Sequence, residues 1–203
     1  MRKITTTAAI VLLSFATTAA FAEHAYISFD DDDNMILSGP FTATVPKPEN
    51  ARAHGPENST LSFLGEDLRV SMAGYFADDQ FVIVQVETTN ASPGTLSNIN
   101  LPVYEIGGQE YRVRTTCIDI SQEELDSDDN PLLEFVEGQN VQIVPAVQAV
   151  QLFVATEDGT GEGNILYLRN VPGGCDSVSP EFKAAFDGAF ERFIQSIRDT
   201  NPN

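Results

Sequence analysis

Leu101-Pro102-Val103-Tyr104-Glu105-Ile106-Gly107-Gly108-Gln109-Glu110-Tyr111-Arg112-Val113-Arg114-Thr115-Thr116-Cys117 is the stretch from which the fold is read. Gly107-Gly108 suits a two-residue turn, because glycine adopts the positive φ angles such hairpin turns require. Closing the turn there pairs Ile106 with Gln109, Tyr104 with Tyr111 and Val103 with Arg112. Side chains alternate along a strand, so one face carries Tyr104, Ile106, Tyr111, Val113, Thr115 and Cys117. The opposite face carries Glu105, Glu110, Arg112 and Arg114. The first set faces a core, which points Cys117 inward.

The only other cysteine is Cys175. Two cysteines allow one intramolecular pairing, and the chain opens with features of an export signal. Arg2 and Lys3 precede an apolar run from Ala8 to Phe15, and Ala20-Phe21-Ala22 is a small-x-small cleavage site. The expected organisation is therefore a signal peptide over 1–22 and one exported domain over 23–203. An oxidising periplasmic or extracellular location would permit a Cys117–Cys175 disulfide. The apolar run is too short to span a bilayer, so no membrane span is expected in the mature chain.

Charge narrows the partners. The 203 residues carry 30 acids against 11 Lys and Arg, a formal net charge of −19. Nucleic acid is excluded as an expected partner, since neutralising phosphates needs clustered Lys and Arg. The balance suits a cation or a basic protein partner, or simply a solvated acidic surface.

Outward from the hairpin, the sheet signal continues on both sides. Leu68, Val70 and Met72 alternate with Arg69, Ser71 and Ala73. Phe81 to Val86 follows as an apolar run, with Asp78-Asp79 as the intervening turn. Phe41 to Val45 alternates as an earlier strand. Residues 46–58, with three prolines and no apolar period, read as a Pro-rich loop, and a helical turn is expected around Leu61–Leu64. Val141 to Thr156 returns to strand, divided at Pro145. Glu157–Asn164, with Gly159, Gly161 and Gly163, reads as an acidic turn before a last strand over Ile165–Val171. Ser179-Pro180-Glu181 then opens a helix over 179–199, with Ser179 as its cap. Phe182, Phe186, Phe190, Phe193 and Ile197 recur at three- and four-residue spacings, a stripe that must be buried. The fold class expected is α+β: a largely antiparallel β-sheet of about six to eight strands, as a sandwich or partial barrel, packed against a C-terminal amphipathic helix.

The 117–175 segment, closed by the disulfide, is strongly acidic. Ser121–Glu124 forms a capping box and Asn130-Pro131 a second helix start, so two short helices are expected there. The same stretch can be counted as a calcium loop from Asp126, with Asp128 third, Asn130 fifth, Glu134 ninth and Glu137 twelfth. Clustered carboxylates and a closing Glu are what a hard cation takes. Pro131, however, stands where the loop's sharp turn needs Gly, and proline fixes φ at the wrong sign. The reading favoured is a solvated acidic connection, with an irregular calcium site from these oxygens as the alternative.

Arg112 and Arg114, on one strand face, are the candidate anion-binding pair, opposed by internal pairing with Glu105 and Glu110. No cofactor is called for. Catalytic motifs are missing: no GxSxG, HExxH or P-loop occurs. The function expected is an exported acidic, non-catalytic binding or interaction module. The alternatives are a calcium-binding structural protein using 126–137 and an acid–base hydrolase, which would need a concave pocket with two carboxylates of raised pKa.

A solvated acidic connection predicts the same melting midpoint in millimolar calcium as in chelator. An upward shift in calcium would mark a site, because a ligand of the folded state raises its stability.

Overall fold

The computed structural model describes residues 25–63, 66–89, 101–121, 135–136, 139 and 145–202. Among the described residues, ten strands lie in two antiparallel sheets, with one long helix after them. Three short strands, β1 (Ile27–Phe29), β2 (Met35–Leu37) and β3 (Ala43–Val45), form a small sheet in that order. The large sheet comprises β4 (Arg52–Phe63), β5 (Glu66–Phe76), β6 (Gln80–Thr89), β7 (Val103–Ile106), β8 (Gln109–Asp119), β9 (Ala146–Ala155) and β10 (Gly161–Asn170). Its spatial order is β4-β5-β6-β10-β9-β8-β7, which puts β10 at the centre and β4 and β7 at the edges. Helix α1 (Pro180–Thr200) follows a short 3-10 turn at Cys175–Ser177. The architecture is α+β, with both sheets packed against the C-terminal helix.

The β7–β8 hairpin has the register its glycines impose: Ile106 opposes Gln109, Tyr104 opposes Tyr111 and Val103 opposes Arg112. Gly107 and Gly108 take φ of 58° and 76°, in the region glycine enters without steric cost.

One face of the large sheet is covered by α1 and the small sheet together. Tyr75, Val84, Ile165, Leu152 and Val113 from five strands meet Phe186, Phe190, Ile194 and Ile197 from the helix, and Met35 and Val45 from the small sheet. Burying each large helix side chain contributes roughly 1.5–3 kcal/mol. Tyr167 of β10 is the centre of the helix contact, its ring 5.2 to 5.6 Å from the rings of Phe193, Phe186 and Phe190.

The helix is held at both ends. At its start, Ser179 Oγ accepts from the Phe182 N–H at 3.1 Å, and the Cys117–Cys175 disulfide ties the preceding turn to β8. At its end, the Asn201 side-chain amide accepts from the Thr44 N–H and donates to the Thr44 carbonyl, both at 2.7 Å, joining α1 to β3.

The small sheet is anchored by one hydroxyl. Tyr75 Oη accepts from the Met35 N–H at 2.6 Å and lies 2.8 Å from the carbonyl oxygens of Asp33 and Val45. Burial pushes the pKa of this phenol well above its ordinary value, so it stays a donor.

The opposite face is apolar over only part of its area. Met72, Phe76, Phe81, Ile83, Ala149 and Leu168 are covered there by Phe135 and Val136. His54 also packs on this cover, its ring 5.0 Å from that of Phe135.

Three sequence expectations change. Strand β4 begins at Arg52, inside the stretch read as a Pro-rich loop, and runs on through Phe63 where a helical turn was expected. It tolerates Pro56 because it is an edge strand, with a cis Gly55-Pro56 bond and a register shift between His54 and Glu57. Third, β10 begins at Gly161, so Glu162 and Asn164 belong to a central strand rather than to an acidic turn. The glycines there serve packing: a Cβ on Gly161 would come within 3.0 Å of Pro40, and one on Gly163 within 3.0 Å of Phe41.

Replacing Tyr75 by Phe keeps the ring and strands buried backbone groups without their partner. The substitution is expected to cost about 1–3 kcal/mol, read as a lower midpoint in denaturant unfolding.

Candidate functional site

The extension of β10 creates the site. Along the partly uncovered face, β6 presents Gln85 and Glu87, β10 presents Glu162 and Asn164, and β9 presents Gln151 and Phe153. The register sets Glu87 directly opposite Glu162, Gln85 opposite Asn164, and Asn164 opposite Phe153. Arg112 of β8 lies opposite Phe153 on its far side.

The amides hold the carboxylates in place. Gln151 Nε2 donates to Asn164 Oδ1 at 2.8 Å, and Asn164 Nδ2 donates to Glu162 Oε1 at 3.0 Å. Gln85 Nε2 donates to Glu87 Oε1. Asn164 is only 8% exposed, so the inner part of this ladder is nearly dry.

A cleft of about 330 Å³ opens beside the ladder, between the β9–β10 turn and the ends of β5, β6 and β8. Glu87, Glu162, Glu110, Glu157 and Arg112 line it, with Leu68, Phe153 and Ala155 supplying carbon surface. Asp158 stabilises the turn at the rim: it accepts from the Thr160 N–H at 3.0 Å and from the hydroxyls of Thr156 and Thr160. Those donors pull its pKa down to about 2.

Glu87 behaves differently. Burial, and then the charge of Glu162 across the strands, push its pKa up from 4.5 to about 7; the Gln85 amide acts weakly the other way. Like charges placed directly opposite on adjacent strands repel. A proton on Glu87, or a positive group beside it, removes that repulsion.

Cys117 and Cys175 are bonded, with Cα atoms 5.7 Å apart. Arg112 lines the cleft, whereas Arg114 borders a second hollow of about 460 Å³ with Tyr104, Asp187 and Glu191. The two arginines share a strand face without being brought to one hollow. Asp126, Asp128, Asn130, Glu134 and Glu137 lie outside the described residues, as do the two helical starts expected around them, apart from the single helical pair Phe135–Val136. Among the described residues no three or more His, Cys, Asp or Glu side chains gather as a metal site, and no helix is long and apolar enough to cross a membrane.

Glu87 and Glu162 were not found from sequence. The available signal was local: in Phe81 to Thr89 the apolar run is broken at Gln85 and Glu87, two positions on one face. Their partner, though, comes from β10, far along the chain.

Comparison with known proteins gives no match: no family model, curated protein or solved structure is similar to this chain.

The raised pKa fixes the sign of a pH effect. The folded state holds the Glu87 proton more tightly than the unfolded chain, so its contribution is full below about pH 4.5 and is lost as pH rises through about 7. The loss amounts to about 3 kcal/mol at most. Glu87→Gln should therefore melt close to wild type at pH 5 and several degrees above it at pH 8. Parallel melting curves for the two proteins across that range would remove the shift.

Proposed function

We propose that this chain is an exported, non-catalytic binding module, and that its ligand site is the cleft at Glu87 and Glu162, which takes a positively charged ligand. The observation that carries the reading is the cross-strand pair Glu87–Glu162 held half-buried at the wall of a concave cleft. Keeping two carboxylates there is unfavourable in the empty protein, and a bound cation offsets both the burial and the repulsion. Four acids and one base line the cleft among the described residues, so the local field favours the same sign of ligand as the net charge of −19. The volume lies within the range of small-molecule sites, about 300–1,000 Å³.

Export rests on two supports. One is the N-terminal signal pattern; the other is the disulfide, which persists in oxidising compartments. The partner therefore meets the protein outside the cytoplasm, in the periplasm or beyond the cell.

A second reading, an acid–base hydrolase, is favoured by the Glu87 pKa of about 7 beside a second carboxylate. A general acid works best with a pKa near the operating pH. It ranks below binding because the same shift follows from burial and like charge alone.

The chain has no Trp, so calorimetry rather than intrinsic fluorescence is the measurement. Titration with spermidine at low salt should give binding that weakens as salt rises. The double variant Glu87→Gln, Glu162→Gln should lose it while remaining folded by circular dichroism. Binding indifferent to both substitutions would move the site elsewhere.

A further inference from the structure

Glu87 and Glu162 each have one oxygen already in use. Gln85 donates to Oε1 of Glu87, and Asn164 donates to Oε1 of Glu162. The second oxygen of each has no hydrogen-bond partner among the described residues. The cleft thus offers two well-held carboxylate acceptors on adjacent strands.

Calcium takes six to eight oxygens, and magnesium demands a near-ideal octahedron. Neither set is assembled here, since no three metal-capable side chains gather among the described residues. A cleft of about 330 Å³ is also far larger than one ion needs, as a water occupies only about 30 Å³ of liquid volume. Beside the carboxylates lie Leu68, Phe153 and Ala155, carbon surface that a bare ion could not use.

We infer that the cleft is built for an alkylammonium group: a primary amine whose N–H donors reach Glu87 and Glu162 and whose carbon chain lies against Leu68, Phe153 and Ala155. This rests on the cleft being the cation site proposed above. An ammonium group has three donors with free rotation, so two carboxylates and one water satisfy it. Guanidinium compounds fit less well, because the planar fork wants one carboxylate presented edge-on, and here the acceptors come from two strands.

Binding couples to a proton. Glu87 lies directly opposite Glu162 on β10 and Val70 on β5, and it shares the cleft lining with Glu110 and Arg112 of β8, Glu157 of the β9–β10 turn and, among the described side chains of β5, Leu68. Below neutral pH the empty cleft holds its proton on Glu87, and an arriving ammonium displaces it to solvent. The site therefore loads as pH rises and unloads as it falls.

The test is calorimetry on the full folded protein with n-butylamine, putrescine and calcium chloride, each at pH 6 and pH 8, in buffers of different ionisation enthalpy. The expected result is amine binding at least tenfold tighter at pH 8 than at pH 6, with a heat at pH 6 that varies with the buffer, the mark of proton release. Glu87→Gln should weaken amine binding tenfold or more and abolish the buffer dependence. Glu162→Gln should weaken it while keeping proton coupling to Glu87. Calcium binding as tightly as the amines, and lost in Glu87→Gln, would overturn the ammonium assignment and leave the cation cleft standing. No binding of either would overturn both. Amine binding unchanged in Glu87→Gln would overturn the assignment of the group that receives it.

Discussion

Everything on the covered face depends on how closely other layers approach β10. This strand is central, and each half of it meets a different neighbour. Gly161 and Gly163 leave room for Pro40 and Phe41, which lead into the small sheet. Tyr167, farther along the same face, fills the gap beneath three phenylalanines of α1. Small residues at one end and an aromatic at the other let a sheet and a helix share one floor. Interiors pack at crystal-like density, so neither neighbour could seat on a strand of uniform side chains.

The other face of β10 has the opposite character. Its Leu168 end is dry under Phe135 and Val136, while its Glu162 end is open. The amide ladder of Gln151 and Asn164 marks the boundary. Buried amides of this kind are stable only when paired, and here they pair with one another and with a carboxylate. The polar half of the face is thus a hydrogen-bonded continuation of the core rather than a gap in it. That continuity is what lets two acids sit across from each other at the rim of the cleft in a folded sheet.

The legible parts of the sequence were those set by neighbours in the chain. Gly107-Gly108 fixed a register to the residue, and the Phe stripe with Ser179 fixed the helix and its buried side. Cys117 and Cys175 pair as the even count implied, although Cys117 is only half-buried and Thr115, expected on the same inward face, is exposed. Two segments rich in Pro and Gly misled, because both residues signal turns locally yet serve a sheet here. Pro56 is accepted by an edge strand at a bulge, and Gly161 and Gly163 answer to side chains from a distant segment. The acid pair was illegible for the same reason: strand pairing between β6 and β10 is set by the topology of the whole sheet, and no local rule places Glu162 opposite Glu87.

The disulfide also determines how the protein would bear tension. A pull applied between the two ends of the chain reaches Cys117 and then crosses directly to Cys175, bypassing everything in sequence between them. Strands β9 and β10 lie inside that bypass and carry no load along their own backbones. The load passes instead through the segments before Cys117 and after Cys175, α1 with its Asn201–Thr44 clamp among them. The central strand with Glu162 is enclosed in a covalent loop that extension cannot draw out.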